Sequence, residues 1–181
     1  MINQAILFAT HAHSGTFRKG TNMPYIMHPL EAAVIVSQMT TDEALIAAAV
    51  LHDTVEDCED ISIEDIKHTF GEKVAQLVSA ESEDKTKTWQ ERKSHTLEFL
   101  KNEASEDVKI VTLGDKLSNM RAIARDYKVI GDQLWERFNV KDKTRIGWYY
   151  KGLGESLSSM SSYEQYQEYI KLVNEVFEIA E

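Results

Sequence analysis

Apolar residues recur at helical spacing along most of the chain, and short polar segments separate one such stretch from the next. A first helix is predicted over residues 2–13, and the turn-rich segment GTFRKGTNMPYI that follows it is predicted to be a loop. Pro29 suits the first turn of a helix, so a second helix is predicted to begin beside His28 and to continue through LEAAVIVSQM. These two helices would flank a loop that contains glycine and several polar residues.

A third predicted helix, EALIAAAVLHDTVED, has a different pattern. Thr41 or Asp42 can cap its amino terminus, and its residues up to Leu51 are apolar on nearly every face. Because a helix that is apolar on all sides must be covered on all sides, we expect it near the centre of a bundle. His52 and Asp53 would then lie on this buried helix.

The rest of the chain also predicts helices. The segment IEDIKHTFGEKVAQLVSA, which follows Ser62, predicts two helices that meet near Gly71, and the polar stretch ESEDKTKTWQERK after it predicts an irregular connection. Further segments with helical spacing are ERKSHTLEFLKNEA, EDVKIVTLGDKLSNMRAIARD, ERFNVKDKTRIGWYYKGLGESL and SYEQYQEYIKLVNEVFEIA. No proline interrupts them, and no repeat or linker divides the chain. We therefore predict an all-α helical bundle, formed by a single domain over residues 1–181.

Composition and charge restrict the partners and the compartment. Cys58 is the only cysteine, so it has no partner for an internal disulfide, which indicates a reducing compartment. The amino terminus has no basic region, and no apolar run approaches the roughly 20 residues of a membrane span, so we predict a cytoplasmic protein with no membrane partner. The formal net charge of −10 argues against nucleic acid as a partner, but a small phosphorylated ligand remains open if a local positive cluster or a bound cation holds it. The oligomeric state also remains open.

The sequence AAAVLHDTVED places ionisable side chains on one helical sector directly after an apolar run. His52 and Glu56 are i, i+4 neighbours on a helix, and so are Asp53 and Asp57. Burying these groups without compensation is costly, and a divalent cation compensates them because it pairs with carboxylates and accepts neutral imidazole nitrogen. An isolated His-Asp pair is, however, more often the solvent-exposed end of a helix, so further ligands are needed.

Two residues elsewhere in the chain are candidates for those ligands. His28 precedes a proline that defines the start of its helix, although a histidine near a helix cap is often only hydrogen-bonded locally. Asp115 lies in KIVTLGDKLSNMRAI, where apolar residues mark a largely buried helix, and Asn119 follows it by one turn. Gly114 weakens this helix by about 1 kcal/mol unless a neighbouring element requires close approach. The alternative for Asp115 is a buried ion pair with Lys116 or an arginine.

Arg18 and Lys19 form a basic pair in the predicted loop between the first two helices, between Gly15 and Gly20. A loop of this kind can hold a phosphate through charge-assisted hydrogen bonds and exposed backbone N–H groups. Most short basic pairs are solvated surface, so the pair gains meaning only beside the candidate ligands.

Taken in order, the segments HAHSGTFRKGTNMPYIMHP, AAAVLHDTVED and VTLGDKLSNMR resemble the hydrolase domain of the RelA/SpoT family, and especially its small stand-alone alarmone hydrolases. The likeness spans most of the first 125 residues and includes the histidine, the His-Asp pair and the later aspartate that mark the HD superfamily of metal-dependent phosphohydrolases. It implies a helical HD-domain bundle that removes the 3′-pyrophosphate from (p)ppGpp and gives GDP or GTP. The length leaves no room for a synthetase domain, so we expect hydrolase activity alone.

The resemblance also implies roles for individual residues. It implies one divalent ion, usually Mn²⁺, and two imidazoles with two carboxylates also suit Fe²⁺ or Zn²⁺. The implied metal ligands are His28, His52, Asp53 and Asp115. The acidic pair thought to position or activate the attacking water is Glu56 and Asp57. The implied substrate contacts are Arg18, Lys19, Asn119 and a tyrosine that aligns with Trp148, Tyr149 or Tyr150, of which we choose Tyr149.

The chain departs from the family pattern at two positions. Thr16 stands where relatives commonly have glutamine, and Ser118 replaces the histidine of a typical Leu-His-Asn. Both departures spare the implied ligands but leave the substrate open. The alternatives are a phosphohydrolase of another nucleotide, such as a nucleotidase or an NADPH phosphatase, an alarmone-binding regulator without turnover, and an acidic helical scaffold with no site.

Overall fold

The computed structural model describes residues 1–81 and 83–178. Over these residues the chain forms α-helices, two short 3-10 segments and no β-strand, and an isolated bridge between Phe17 and Pro24 closes the loop between the first two helices. In chain order the elements are α1 (Ile2–Ala12), α2 (Met27–Ser37), α3 (Glu43–Leu51), α4 (Thr54–Asp57), α5 (Ile63–Phe70), α6 (Glu72–Glu81), α7 (Trp89–Asn102), α8 (Glu106–Ile130), a 3-10 segment (Gly131–Arg137), α9 (Lys143–Ser156), a second 3-10 segment (Ser158–Met160) and α10 (Glu164–Phe177). The described chain is therefore all-α, as the sequence predicts.

Helix α3 is the centre of the bundle. Every residue from Ala44 to Leu51 is buried, which agrees with the position predicted from its uniformly apolar pattern. Helices α1, α2, α6 and α8 pack around it. The Asp42 side chain accepts a hydrogen bond from the Ala44 backbone N–H at 2.8 Å, so Asp42 is the predicted cap that the helix uses.

Helix α8 connects the helices that carry the candidate ligands. It packs against α2 and α3, and against α10, which in turn packs on α9. Buried side chains occur along α8 from Ile110 to Ala124. Although α8 spans 25 residues, neither it nor any other described helix is long and apolar enough to cross a membrane. Helices α2, α3 and α8 therefore contact one another directly.

Helix α3 ends just before the candidate ligands, which differs from the continuous helix predicted for EALIAAAVLHDTVED. His52 and Asp53 form a turn, and the short helix α4 follows at Thr54. Side-chain donors take carbonyls that would otherwise continue the helix: His52 Nδ1 lies 2.9 Å from the Ala49 oxygen, and Thr54 Oγ1 donates to the Leu51 oxygen at 2.7 Å. The two ligand side chains thus lie at a helix end rather than within a helix.

The predicted polar connection is shorter than its sequence indicates. Gly71, with a φ of +92°, separates α5 from α6 as predicted. Helix α7 begins at Trp89, inside the stretch ESEDKTKTWQERK, because Thr88 and Glu91 form a reciprocal capping box. Ser82 in that stretch lies outside the described residues.

The last two predicted helices also have different bounds. Helix α9 begins at Lys143, later than ERFNVKDKTRIGWYYKGLGESL predicts, because the Asp142 side chain caps it by accepting from backbone N–H groups of its first turn. The residues before it form a 3-10 segment and a loop. Residues 179–180, at the predicted end of the last helix, lie outside the described part of the chain.

Candidate active site

Two histidines and two aspartates from three elements converge at the carboxyl end of α3. His28 is in the first turn of α2, Asp115 is in the middle of α8, and the turn after α3 supplies the other two. His28 Nε2 lies 3.1 Å from Asp115 Oδ1 and 3.5 Å from Asp53 Oδ2. His52 Nε2 lies 3.0 Å from Asp53 Oδ2 and 3.5 Å from Asp115 Oδ1. The ligand atoms of His28, His52 and Asp53 lie within 4.8 Å of one another, a spacing that a single metal ion can bridge.

Hydrogen bonds on the far side of each imidazole direct both Nε2 atoms towards the carboxylates. His52 Nδ1 lies 2.9 Å from the backbone oxygen of Ala49, which can only accept, so Nδ1 carries a proton. His28 Nδ1 lies 2.9 Å from Ser118 Oγ, whose own proton goes to Glu31 Oε2, so this Nδ1 also donates. Each imidazole is therefore free to present an Nε2 lone pair, the form that binds a metal ion.

The buried carboxylates attract positive charge into the site. Burial alone would raise the pKa of Asp115, but the Lys116 ammonium and the His52 imidazole hold it well below its usual range. Burial lowers the pKa of His52, yet the Asp53 and Asp115 carboxylates outweigh burial and raise that pKa well above its usual value. A divalent cation supplies the same compensation, and binding it releases the proton. His52 Nε2 is buried, and although it lies 3.0 Å from Asp53 Oδ2, its geometry gives it no hydrogen bond among the described residues, so it is an atom that such an ion would satisfy.

The sequence leaves two interpretations of Asp115 open, a metal ligand and a buried ion pair with Lys116, and its contacts are consistent with both. Its Oδ2 accepts a hydrogen bond from Lys116 Nζ, the ion pair expected of a buried aspartate. Its Oδ1 accepts from Asn119 Nδ2 at 2.6 Å and faces the two imidazoles. The ion pair therefore leaves one carboxylate oxygen directed at the candidate metal site.

The acidic pair Glu56 and Asp57 lies on α4, directly after the turn that carries His52 and Asp53. Asp57 is exposed and lines the cavity described below, whereas Glu56 is half-buried. Burial raises the pKa of Glu56, against the opposing charge of Lys85, whose Nζ lies 3.9 Å from the Glu56 carboxylate. The two acids therefore differ: Asp57 faces a potential ligand, and Glu56 holds its proton to higher pH than an exposed glutamate.

A cavity of about 720 Å³ opens beside the metal site. His28 and Asp57 form the part of its wall nearest the metal site, and its volume falls within the roughly 300–1,000 Å³ typical of small-molecule sites. The basic side chains in its wall are Arg18, Lys19, Lys93, Arg125 and Arg137. Lys93 pairs with Glu83, and Arg125 and Arg137 both pair with Asp126. In a chain of net charge −10, the positive charge that a phosphorylated ligand could use in this cavity is therefore mainly that of Arg18 and Lys19.

The loop between α1 and α2 forms one wall of the cavity and is hydrogen-bonded to two other elements. Arg18 Nη2 donates to Asn119 Oδ1 at 3.0 Å, and the Asn119 amide in turn donates to Asp115. Lys19 Nζ donates to Asn139 Oδ1, also at 3.0 Å, in the loop that precedes α9. The basic pair, which the sequence alone could not distinguish from solvated surface, therefore lies in the cavity and is linked to a candidate ligand.

Tyr149 lies on α9 and is buried in the cavity wall. Its hydroxyl has no hydrogen-bond partner among the described residues, and Lys93 Nζ lies 4.7 Å from the centre of its ring. Tyr150 also lines the cavity, whereas the side chain of Trp148 is 40% exposed. A buried hydroxyl without a partner is available to a ligand, which favours Tyr149 among the three aromatic positions.

Other residues at the site were not singled out from the sequence. The Tyr25 hydroxyl donates to Asp53 Oδ2 at 2.7 Å, and the buried ring of His13 lies 4.9 Å from the Tyr25 ring. Glu83 Oε1 accepts from Lys93 Nζ at 2.6 Å and so holds this lysine at the cavity wall. Tyr25 and His13 lie within the motif HAHSGTFRKGTNMPYIMHP, which was the available signal, whereas Glu83 and Lys93 lie in the stretch interpreted as a polar connection.

Comparison with known proteins agrees with this geometry. A family model described as HD domain matches residues 5–137, which include the four candidate ligands. The chain is 40% identical over 128 residues to guanosine-3′,5′-bis(diphosphate) 3′-pyrophosphohydrolase MESH1 of Xenopus tropicalis, a match that covers 69% of this chain and 70% of that protein. It is 36% identical over 128 residues to GTP pyrophosphokinase rsh of Brucella ovis, where the match covers 68% of this chain but only 17% of the relative.

The fold has a solved counterpart. The structure of a metazoan orthologue of SpoT, described as hydrolysing ppGpp, matches with a TM-score of 0.77 and 27% sequence identity, over 96% of this chain and 93% of that one. The helical bundle, the HD-domain match and the relatives thus agree with the resemblance that the motifs indicate. The chain belongs to the HD-domain family, in the branch of the RelA/SpoT-type hydrolases.

Proposed function

We propose that this protein is a metal-dependent guanosine-3′,5′-bis(diphosphate) 3′-pyrophosphohydrolase, which converts ppGpp or pppGpp and one water into GDP or GTP and pyrophosphate. The observation that carries the proposal is the convergence of two histidines and two aspartates beside a cavity with a basic lining. The activities named for the Xenopus tropicalis relative and for the metazoan SpoT orthologue support the same reaction.

The basic loop supports a phosphorylated nucleotide as the substrate. Arg18 and Lys19 lie on the loop that is joined to Asp115 through Asn119, and we propose that they contact phosphates near the metal site. Tyr149 adds an unpartnered hydroxyl to the same cavity. Arg18 and Lys19 form no ion pair with a carboxylate among the described residues, so an anionic ligand could pair with both, which supports a substrate that carries a diphosphate on this side.

His28, His52, Asp53 and Asp115 would hold the metal ion. Their mixed nitrogen and oxygen donors suit Mn²⁺, which we propose as the native metal, and also Fe²⁺ or Zn²⁺. When bound, the ion supplies Lewis-acid activation of water and of the phosphoryl group. The donor set fits such an ion because each imidazole is oriented by a hydrogen bond at Nδ1 and one aspartate oxygen faces both rings.

The acidic pair carries the proton chemistry in this proposal. Asp57 lies on the cavity wall, which supports a role in orienting the attacking water. We propose that Glu56, whose pKa is raised by burial, accepts the water's proton and later releases it. The water oxygen attacks the phosphorus on the 3′ side as the bond between that phosphorus and the 3′ oxygen breaks, and the proton taken up by Glu56 passes to the 3′ oxygen, which becomes the ribose hydroxyl of GDP or GTP. Arg18 and Lys19 offset the negative charge that develops on the diphosphate during this step. Lys116 adds a positive charge next to Asp115, whose Oδ2 accepts a hydrogen bond from Lys116 Nζ.

The test is hydrolysis of ppGpp by purified protein loaded with Mn²⁺, with GDP and pyrophosphate both quantified. We expect the two products in equal amounts, and no product from Asp53→Ala. A matched control is Asp107→Ala, which removes an aspartate whose side chain is 44% exposed and pairs with Lys73, and which leaves the four candidate ligands in place. Intact ppGpp after incubation with Mn²⁺, Fe²⁺ and Zn²⁺ in turn would contradict the proposal.

The same assay distinguishes the alternatives. A panel that includes NADPH and nucleoside monophosphates, with release of orthophosphate instead of pyrophosphate, would indicate a nucleotidase or an NADPH phosphatase. Tight ppGpp binding without product would indicate a regulator. An Asp53→Ala variant with unchanged metal content and no lost activity would indicate a scaffold.

A further inference from the structure

Of the two candidate imidazole ligands, His28 is the one whose outer nitrogen is held by another side chain. His28 Nδ1 lies 2.9 Å from Ser118 Oγ, and Ser118 is 1% exposed. By contrast, His52 Nδ1 faces the backbone oxygen of Ala49, which is present whatever the side chain at that position. The orientation of the His28 ring therefore depends on which residue occupies position 118.

Glu31 sets the direction of the hydrogen bonds in this contact. Ser118 Oγ donates its single proton to Glu31 Oε2 at 2.9 Å. The lone pairs of the hydroxyl then face His28, so Nδ1 must donate and Nε2 must carry the lone pair. The Glu31 carboxylate, at the end of this series of hydrogen bonds, also polarises the Ser118 hydroxyl. The hydroxyl is then a stronger acceptor, and the His28 imidazole is a stronger ligand.

Glu31 is itself held from the other side. Its Oε1 accepts from Arg121 Nη1 at 3.3 Å, and Arg121 donates from Nε and Nη2 to the two carboxylate oxygens of Glu168, each at 2.7 Å. A continuous chain of polar contacts thus runs from the metal site on α2, through α8, to α10. Because Glu31 follows His28 by one turn of α2, the carboxylate and the imidazole share one rigid support.

We propose that Ser118 and Glu31 are positioning residues for metal binding, which fix the tautomer and ring orientation of His28 and strengthen its Nε2 as a ligand. The inference rests on the proposed metal site but not on the identity of the substrate.

The experiment measures the affinity of the full-length apo protein for Mn²⁺ alone, by competition with a fluorescent chelator and without nucleotide. We expect Ser118→Ala to weaken Mn²⁺ binding by about 10- to 100-fold, the usual effect of removing a hydrogen-bond partner of a ligand histidine. Glu31→Gln should weaken it less, because the amide oxygen still accepts from Ser118 but without a charge. Ser118→Thr retains the hydroxyl and should restore most of the affinity.

Ser156→Ala is the control for Ser118→Ala, and Glu175→Gln is the control for Glu31→Gln. Ser156→Ala removes another buried helical serine, whose hydroxyl donates to the Leu97 backbone oxygen away from the site. Glu175→Gln removes a glutamate charge whose side chain is 35% exposed, against 39% for Glu31, and which pairs with Lys128 of α8. Both controls should leave the Mn²⁺ dissociation constant unchanged, even where they lower the melting temperature of the apo protein.

A double-mutant cycle separates a positioning role from a general loss of stability. Because Ser118 and Glu31 act on His28 through the same contact, Ser118→Ala with Glu31→Gln should cost little more affinity than Ser118→Ala alone. Strictly additive losses, or a Ser118→Ala dissociation constant equal to that of the unmodified protein, would overturn the inference. Since no nucleotide is present, a failure to hydrolyse ppGpp would refute the proposed function and leave this result standing.

Discussion

A Cβ atom on Gly114 would lie 3.0 Å from the backbone oxygen of Ala32, so helix α8 touches helix α2 backbone to backbone at this point. The same Cβ would lie 2.5 Å from Val36 Cγ2. Asp115 is the next residue on α8, and His28 lies one turn before Ala32 on α2. The absence of a side chain at Gly114 therefore sets the distance between two of the candidate metal ligands.

Substitution of Gly114 by alanine should separate these helices. We expect Gly114→Ala to lower the free energy of unfolding by about 1–3 kcal/mol, the usual effect of overfilling a packed interior, and to weaken Mn²⁺ binding because Asp115 moves away from His28. Gly154→Ala is a suitable control, since the added Cβ would lie 2.7 Å from the Ile170 side chain on α10, and neither α9 nor α10 carries a candidate ligand. Calorimetry and metal titration check both effects. Equal metal affinities in the two variants would contradict the role assigned to Gly114.

The contact at Gly114 also shows what can be predicted from sequence. A glycine in a buried helix costs about 1 kcal/mol relative to alanine, so its presence predicts that something approaches closely, and the structure confirms this. The identity of the partner, Ala32, could not be predicted, because it depends on where α2 crosses α8. A local cost is visible in the sequence, whereas the tertiary contact that compensates it is not.

The candidate site likewise combines residues that local sequence patterns indicate with tertiary contacts that they do not. Each candidate metal ligand could be singled out because it is a polar residue beside an apolar run or at a helix start. The contact of Lys19 with Asn139 joins residues 120 positions apart, in a region where no local pattern indicates proximity. The break after Leu51 could not be predicted for a different reason: no glycine or proline interrupts AAAVLHDTVED, and the break coincides with side-chain hydrogen bonds from His52 and Thr54 to backbone oxygens.

The basic loop should be sensitive to a side chain at Gly20. This residue has a φ of +70°, and an added Cβ would lie 2.7 Å from Arg137 Cδ. Gly20→Ala should therefore cost about 1–2 kcal/mol of stability from backbone strain and displace the loop that carries Arg18 and Lys19. We expect the KM for ppGpp to rise and kcat to change much less, because the metal ligands are not on this loop.

Gly71→Ala provides the matched control for this prediction. Gly71 also has a positive φ, of +92°, but an added Cβ would meet nothing within 4 Å, and the residue lies between α5 and α6. Gly71→Ala should lose about as much stability as Gly20→Ala, with no change in the KM for ppGpp. Steady-state kinetics and thermal unfolding of both variants check the prediction, and an unchanged KM for Gly20→Ala would show that the position of the loop does not matter for substrate binding.

Glu56 should determine the acidic side of the pH profile. Burial raises its pKa above the ordinary glutamate value of 4.5, although Lys85 opposes this. The carboxylate form, which accepts the proton, is therefore lost as the pH falls through that raised pKa, so kcat should decline at a higher pH than for an exposed glutamate. Glu56→Gln should lower kcat by about 100-fold or more and remove this decline.

Lys85→Met tests the direction in which the Lys85 charge shifts the pKa of Glu56. Removal of the ammonium 3.9 Å from the Glu56 carboxylate leaves burial and the Asp53 charge less opposed, so the pKa of Glu56 should rise further. The acidic limb of the kcat profile should then move to higher pH, while Lys87→Met, a nearby change outside this contact, should leave it in place. A limb that moves to lower pH in Lys85→Met, or persists in Glu56→Gln, would assign the proton transfer to another group.

Metal binding should stabilise the folded protein, because the ligand set exists only when α2, α3 and α8 are packed together. An ion that binds the folded state alone, at a concentration about 100 times its dissociation constant, adds about 2.7 kcal/mol to the free energy of unfolding. For a chain of this size that corresponds to a rise of roughly 5–10 °C in Tm.

Asp53→Ala should lose the rise, and Asp107→Ala, which alters only a surface pair with Lys73, should keep it. The rise should also shrink as the pH falls, because protons compete with the ion for His52 and the carboxylates. Differential scanning calorimetry with and without Mn²⁺ at several pH values measures this, and an equal Tm rise in Asp53→Ala would place the stabilising ion at a different site.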